Sequence, residues 1–129
     1  MSELEQFLAL PDVTDMEETI YVNERVGSFV VKPMTSAQFD EYSKRCRSKV
    51  NKKGVDFDGG KFNLLIVAGQ VVKPDFNNAE LLKKAGCATA AELIQKKLLA
   101  GEIAALSEKI SEISGFNTDM NDSIQEAKN

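Results

Sequence analysis

The central stretch of the chain, residues 62–72, reads Phe-Asn-Leu-Leu-Ile-Val-Ala-Gly-Gln-Val-Val. It is apolar on nearly every side, and it exceeds the usual strand length of roughly five or six residues. Pro74 prevents regular pairing from continuing, so the length of the stretch favours a buried helix. Leu64 to Val67 taken alone would also fit a strand. The sequence therefore predicts a buried helix over residues 62–72.

The residues before this helix predict a β-hairpin followed by another helix. β-Branched and aromatic residues over 19–22 and 29–31 flank a turn that contains Gly27, and this pattern is typical of a hairpin. Thr35 and Gln38 then follow the capping-box spacing, in which each side chain bonds a backbone N–H group at the start of a helix. That helix has an apolar stripe formed by Phe39, Tyr42 and Cys46.

A further short helix is predicted near the beginning of the chain. Leu4, Phe7 and Leu8 follow the spacing of one helical face. The pattern predicts a helix over residues 3–9, which ends before Pro11 because proline disrupts a helix interior.

The residues after the buried helix predict three more helices. Asn77 and Thr89 are polar caps, and each is followed three residues later by a glutamate. Gly86 ends the first of these helices, and Gly101 separates the second from a longer one that stops at Gly115. The longer helix carries an apolar stripe, namely Ile103, Leu106, Ile110 and Ile113.

These elements together predict an α+β fold that is predominantly helical. A small N-terminal β-hairpin precedes a compact multi-helix domain. A length of 129 residues and a hydrophobic content of 43% fit one domain with its own core. Within that single domain we expect a short helix and hairpin over residues 1–34, a helical core over residues 35–116 and a mobile C-terminal segment over residues 117–129.

The composition argues against an enzyme, a metalloprotein or a membrane protein. The chain has no histidine, the commonest general base and transition-metal ligand. Cys46 and Cys87 have no metal-ligand spacing and are expected to be buried thiols. The glycine-containing loop over residues 54–60 lacks the spacing of a phosphate loop and the full ligand set of a calcium loop. No catalytic residue, cofactor or metal is therefore predicted, and the longest apolar run, residues 64–68, is too short to span a bilayer.

Charge is unevenly distributed along this acidic chain, whose net charge is −4. The first 31 residues are rich in acids, whereas residues 44–53 are rich in bases. Aromatic residues that would stack on nucleic-acid bases are missing from that basic stretch. An exposed helix face or a contact with an acidic protein is therefore favoured over nucleic-acid binding. The basic residues predicted to make this electrostatic contact are Lys44, Arg45, Arg47 and Lys49.

The apolar stripe of the long helix has two interpretations. Core packing is favoured, because amphipathic faces usually point towards a core. The alternative is a partner-binding groove shared with a weaker stripe near the C-terminus. The predicted partner-binding residues are Ile103, Leu106, Ile110, Ile113, Met120 and Ile124.

A series of different short motifs is distributed along nearly the whole chain. They are Phe-Val-Val-Lys-Pro-Met-Thr at 29–35, Asp-Phe-Asn-Asn-Ala-Glu-Leu at 75–81, Ala-Glu-Leu at 91–93, Leu-Leu-Ala-Gly-Glu at 98–102 and Gly-Phe at 115–116. In this order and spacing the chain resembles the XkdN-like tail assembly chaperones of contractile-tailed phages and phage-like elements. It departs from that family in a shorter hairpin and in the glycine-containing loop.

The resemblance implies a non-catalytic chaperone that keeps the tape measure protein soluble in the host bacterial cytoplasm while tail tube protein assembles around it. Such a chaperone is absent from the mature particle. Weak homo-oligomers are expected, and so is a longer form made by frameshifting near Lys128-Asn129. Two other functions remain as alternatives. One is a small structural tail component such as a completion protein, and the other is a nucleic-acid-binding regulator using residues 44–53.

Overall fold

A computed structural model describes residues 2–47 and 57–116. The fold is α+β and predominantly helical, with a small antiparallel sheet near the N-terminus, as predicted. The helices and strands, in chain order, are α1 (Glu3–Leu8), β1 (Glu18–Asn23), β2 (Gly27–Val31), α2 (Ser36–Cys46), α3 (Gly59–Gln70), β3 (Val71–Lys73), α4 (Ala79–Ala85), α5 (Ala90–Lys97) and α6 (Ala100–Ile113). A short 3-10 turn, Val13–Asp15, precedes β1.

The central helix α3 confirms the buried helix predicted from the sequence. It packs against α2, α5 and α6, and its residues Ile66 and Val67 are fully buried. It begins before Phe62, because the Asp58 carboxylate accepts a hydrogen bond from the Lys61 N–H and caps the helix. The sequence predicted a loop over residues 54–60, but Gly59 and Gly60 belong to the first turn of α3.

The predicted C-terminal end of this helix is wrong, because Val71 and Val72 lie in the strand β3. Two local preferences explain the change. The residue before Pro74 is disfavoured in helical conformation, and valine favours a strand. The edge of β2 then supplies the hydrogen-bonding partner for this segment.

The sheet has the strand order β1-β2-β3, and both pairings are antiparallel. The predicted hairpin of β1 and β2 is confirmed. Ile20 of β1 lies opposite Phe29 of β2, and both side chains are buried. Gly27 has a backbone φ of 73°, a value that residues with a side chain rarely adopt, so glycine suits the end of this turn.

Gln70 fastens the end of α3 to the connection between β2 and α2. Its side-chain Nε2 donates hydrogen bonds to the carbonyl oxygens of Lys32 and Pro33, each at 3.1 Å. Its Oε1 accepts a hydrogen bond of 2.7 Å from the Tyr42 hydroxyl. The neighbouring Gly69 leaves space for the tip of that tyrosine, since a Cβ at this position would overlap the hydroxyl. A buried polar residue therefore joins three elements.

Most helix starts lie where the capping patterns predict them. The box of Thr35 and Gln38 is complete, with bonds of 3.1 Å and 3.0 Å. Thr89 caps α5, and Gly86 ends α4 with a positive φ. The start of α4 is one residue later than predicted, because the side chain that accepts the Leu81 N–H is that of Asn78.

The predicted separation of α5 and α6 at Gly101 is wrong by two residues. Gly101 lies inside the first turn of α6, and the break between the helices is at Leu98 and Leu99. The Glu102 carboxylate accepts a 2.7 Å hydrogen bond from the Leu99 N–H, so it fixes the start of α6 there. The glutamate three residues into the helix was thus a better boundary signal than the glycine.

One hydrophobic core joins the sheet to α2, α3, α5 and α6. Cys46 is buried in the folded chain, Cys87 is half-buried, and both are free thiols. The division of the chain at residues 34 and 116 stays a prediction. The C-terminal segment over residues 117–129 lies outside the described residues.

Candidate partner-binding surface

The apolar stripe of α6 lies mostly inside the protein. Leu106 and Ile110 are fully buried, and α6 packs against α3, as the core-packing interpretation requires for these positions. Ile103 and Ile113 are half-buried and contact the edge of the core. In the folded chain they are the members of the described stripe that offer some accessible surface. The role of the stripe in partner binding stays a prediction, and Met120 and Ile124 lie outside the described residues.

Phenylalanines from α2, α3 and the ends of their neighbouring segments form a row across the surface. Ring centroids are 5.2 Å apart for Phe57 and Phe62, 5.7 Å for Phe62 and Phe39, and 4.8 Å for Phe39 and Phe116. These separations are favourable for contacts between aromatic rings. Phe57 and Phe116, at the two ends, are about half exposed. We call these rings the aromatic row.

A shallow cavity of about 200 Å³ lies at the Phe116 end of the aromatic row. The Ser114 hydroxyl accepts a hydrogen bond from the Met34 N–H and donates one to the Ile110 carbonyl, so it ties the end of α6 to the start of α2. Gly115 then turns the chain with a φ of 101°, as predicted for a helix stop. The Phe116 N–H bonds the Ser111 carbonyl, which holds the ring at the cavity.

Basic side chains lie at the other end of the aromatic row. Lys44, Arg45 and Arg47 are exposed at the end of α2, and Arg47 pairs with Phe57 through an antiparallel backbone bridge. Lys44 forms an ion pair of 3.0 Å with Asp40, but both side chains are exposed, so the pair contributes little to stability. Lys49, the remaining predicted residue, is outside the described residues. Positive charge therefore lies beside Phe57 at this end of the aromatic row.

The N-terminal arm, which we define as residues 2–17, carries another apolar surface. Leu4, Phe7 and Leu8 lie on one face of α1, as their spacing predicted, and they are 69–72% exposed. Leu10 is similarly exposed, and α1 contains no buried residue. The Lys32 ammonium donates a hydrogen bond to the Thr14 carbonyl and attaches the arm to the body.

A groove of about 400 Å³ lies between α4 and α5 and is mainly apolar. Phe76 and Leu93 are buried in its floor, and Leu81 is partly exposed at its side. Lys84 and Lys97 also line it and are exposed to solvent. We call this surface the α4–α5 groove. It combines an apolar floor with a positively charged rim.

An ion pair between the half-exposed Arg25 and the buried Glu102 holds the hairpin against the junction of α5 and α6. Glu102 is only 4% exposed, and both of its carboxylate oxygens accept hydrogen bonds from the Arg25 guanidinium. Arg25 also bonds the Lys97 carbonyl. Hydrogen bonds from Arg25, from the Leu99 N–H and from Asn23 lower the pKa of Glu102 to about 2. The pair positions the hairpin relative to the helices.

Local sequence patterns did not reveal the aromatic row, the α4–α5 groove or the Arg25–Glu102 ion pair. The aromatic row joins residues far apart in the chain, and only the Gly-Phe motif at 115–116 drew attention to one of its ends. The ion pair spans 77 positions, so no local pattern reveals it. Within residues 2–47 and 57–116, no His, Cys, Asp and Glu side chains are grouped to hold a metal ion, and no helix is long and apolar enough to cross a membrane.

Comparison with known proteins supplies the relationship that the geometry alone does not. The model of the Phage XkdN-like tail assembly chaperone family matches residues 4–128. Two Bacillus subtilis (strain 168) proteins are similar over most of the chain. Phage-like element PBSX protein XkdN is 33% identical over 106 residues, which cover 78% of this chain and 72% of XkdN. The uncharacterized protein YqbN is 30% identical over 109 residues, which cover 81% and 73%. The crystal structure of YqbN superimposes with a TM-score of 0.61 at 25% identity, covering 79% of this chain and 87% of that one.

Proposed function

The chain belongs to the family of phage XkdN-like tail assembly chaperones, and on that premise we propose that it binds the tape measure protein and keeps it soluble while the tail tube assembles. Its role is in phage tail assembly. The proposed activity is non-catalytic and takes place in the host bacterial cytoplasm. The chaperone leaves before the particle is complete.

The physical need for such a chaperone follows from the nature of the client. A long, largely helical tape measure protein exposes apolar seams until tail tube protein surrounds it. Large exposed apolar surfaces lead to aggregation in water. A chaperone that covers these seams reversibly prevents aggregation and is later displaced by the tube.

The aromatic row is the observation that carries this proposal. Its end rings, Phe57 and Phe116, are about half exposed although phenylalanine prefers a buried position. Their partly buried neighbours Phe39 and Phe62 hold the row in place, so the surface is formed before binding. Aromatic side chains are enriched in protein interfaces because each one buries a large apolar area. An amphipathic helix of the client would lie along this row.

Positive charge beside the row favours a client helix that carries acidic residues next to its apolar face. Arg47 is paired through its backbone with Phe57, and Lys44 and Arg45 precede it on α2. Exposed charges of this kind mainly raise the association rate and fix orientation. Met120 and Ile124, which follow Phe116 in the sequence, remain predicted partner-binding residues.

Co-expression with the neighbouring tape-measure-like gene tests the proposal. The intact chain should shift the client into the soluble fraction and co-purify with it. The double change Phe57→Ala and Phe116→Ala should return most of the client to the pellet, because it removes the exposed ends of the row. Tyr21→Ala is a matched control, since Tyr21 is a 57% exposed aromatic residue on β1, outside the row.

Other outcomes of this co-expression experiment would contradict the proposal. A client that stays insoluble with the intact chain would refute the proposed function. A client that remains soluble with the double variant would refute the aromatic row as its binding surface. Circular dichroism must show that both variants remain folded. Finding the protein in purified tails would favour the structural tail component instead.

A further inference from the structure

The N-terminal arm has the form of a ligand for a groove. Consecutive helical residues are about 100° apart, so Glu3 and Glu5 lie on opposite sides of the stripe of Leu4, Phe7 and Leu8. The apolar face is thus bordered by negative charge on both sides. Helices of this kind bind other proteins by placing the apolar face in a groove.

The α4–α5 groove has the complementary surface. Phe76 and Leu93 form an apolar floor, and Lys84 and Lys97 place positive charge at its rim. Neither lysine forms an ion pair within the part of the chain that the structure describes. An acidic amphipathic helix would bury its stripe against the floor, and its glutamates would lie near the lysines.

We propose that the N-terminal arm of one copy docks in the α4–α5 groove of a second copy. The argument rests on the match between an acid-bordered apolar stripe and a lysine-bordered apolar floor on the same chain. In the folded chain the arm does not occupy its own groove, because none of the residues that line the groove belongs to the arm. Each copy therefore carries one docking helix and one acceptor site.

This arrangement makes the contact heterologous, so the two surfaces of one interface differ. A heterologous contact produces either a closed ring or an open chain of copies. The interface is small, because a helix of six residues supplies it. We therefore expect weak association that depends on concentration and decreases as salt screens the exposed charges. The proposed contact forms between copies of the chain itself and does not require the tape measure protein.

Sedimentation velocity over a wide concentration range tests the proposal on the purified full chain. The wild type should form dimers and larger species at low salt and shift towards monomer at high salt. An arm variant, Phe7→Ser with Leu8→Ser, should be monomeric. A groove variant, Lys84→Glu with Lys97→Glu, should also be monomeric. Both sets of residues are exposed, so the variants should stay folded, which circular dichroism checks.

The decisive measurement mixes the two variants. The groove variant retains an intact arm and the arm variant retains an intact groove, so the mixture should form a dimer and nothing larger. A mixture that remains monomeric, or a wild type that is monomeric at every concentration, would overturn the proposal. Variants that still associate alone would show that copies meet through another surface.

Discussion

The substitution Gln70→Leu tests whether the buried hydrogen bonds of the Gln70 side chain stabilise the fold. The substitution keeps a similar volume but removes the partner of the Tyr42 hydroxyl and of the Pro33 carbonyl, both in buried contacts. The contacts to the Lys32 carbonyl and to the Gln38 side-chain oxygen are partly buried, so water can replace them. A buried polar group left without a partner costs about 1–3 kcal/mol. Two such groups, offset by the apolar gain of leucine, give an expected loss of about 2–3 kcal/mol.

That loss is large compared with a total folding free energy of roughly 5–15 kcal/mol. For a chain of this length it corresponds to a fall in melting temperature of roughly 10 °C. Urea unfolding followed by far-UV circular dichroism measures the free energy of unfolding. If its slope against urea concentration is unchanged, the variant exposes the same amount of surface on unfolding as the wild type.

Tyr42→Phe provides the matched comparison. It removes the other partner of the same 2.7 Å bond and should cost about 1–2 kcal/mol, because the Gln70 oxygen is left unpaired. The double variant should lose less than the sum of the two single losses, since its tyrosine hydroxyl and glutamine oxygen are both gone. Two results would refute a stabilising role for these hydrogen bonds. One is a double variant whose loss of stability equals the sum of the two single losses, and the other is a Gln70→Leu protein as stable as the wild type.

Three further predictions follow from the same structure and sequence. Gly69→Ala should destabilise the protein by about 1–3 kcal/mol, because the new Cβ would overlap the Tyr42 hydroxyl, whereas Gly101→Ala in open space should be neutral or stabilising in the same thermal melts. The stabilising effect of the Glu102 charge is complete above the usual pKa of 4.5 and is lost as the pH falls towards 2, so the stability difference between the wild type and Glu102→Gln should shrink over that interval in urea titrations. Expression with the native downstream DNA should yield a minor longer product by a backward slip at Lys128-Asn129, and a lone 14.2 kDa species in intact mass spectrometry would contradict this.

The sequence predicted those parts of the fold that depend on neighbouring residues. The capping box of Thr35 and Gln38, the hairpin turn at Gly27 and the helix stop at Gly115 each need only a few consecutive positions. Their physical cause is local, because backbone groups at a turn or helix end are satisfied within the same segment. Such features can therefore be identified without knowing the packing.

The strand β3 and the Glu102 ion pair depend on contacts that the sequence does not display. Val71 fits a helix or a strand by composition, and it becomes a strand residue because β2 offers an edge. Glu102 has the pattern of an ordinary helix-start residue, yet it is buried because Arg25 of the distant hairpin reaches it. In both cases the outcome depends on a partner far away in the chain, which adds to the local strand preference of valine at β3 and buries a normally exposed glutamate at Glu102.

Helical spacing also shows that a face is apolar without showing what covers it. The stripes at Leu4, Phe7 and Leu8 and at Leu106 and Ile110 follow the same periodicity, but the first is exposed and the second is fully buried. The difference arises because α6 packs on α3, whereas α1 precedes the sheet without burying a residue. The protein thus separates the apolar surface that stabilises its core from the apolar surface that remains free for binding. Changes in the arm or at the exposed ends of the aromatic row, Phe57 and Phe116, should therefore alter binding while leaving the packing of α3 and α6 intact.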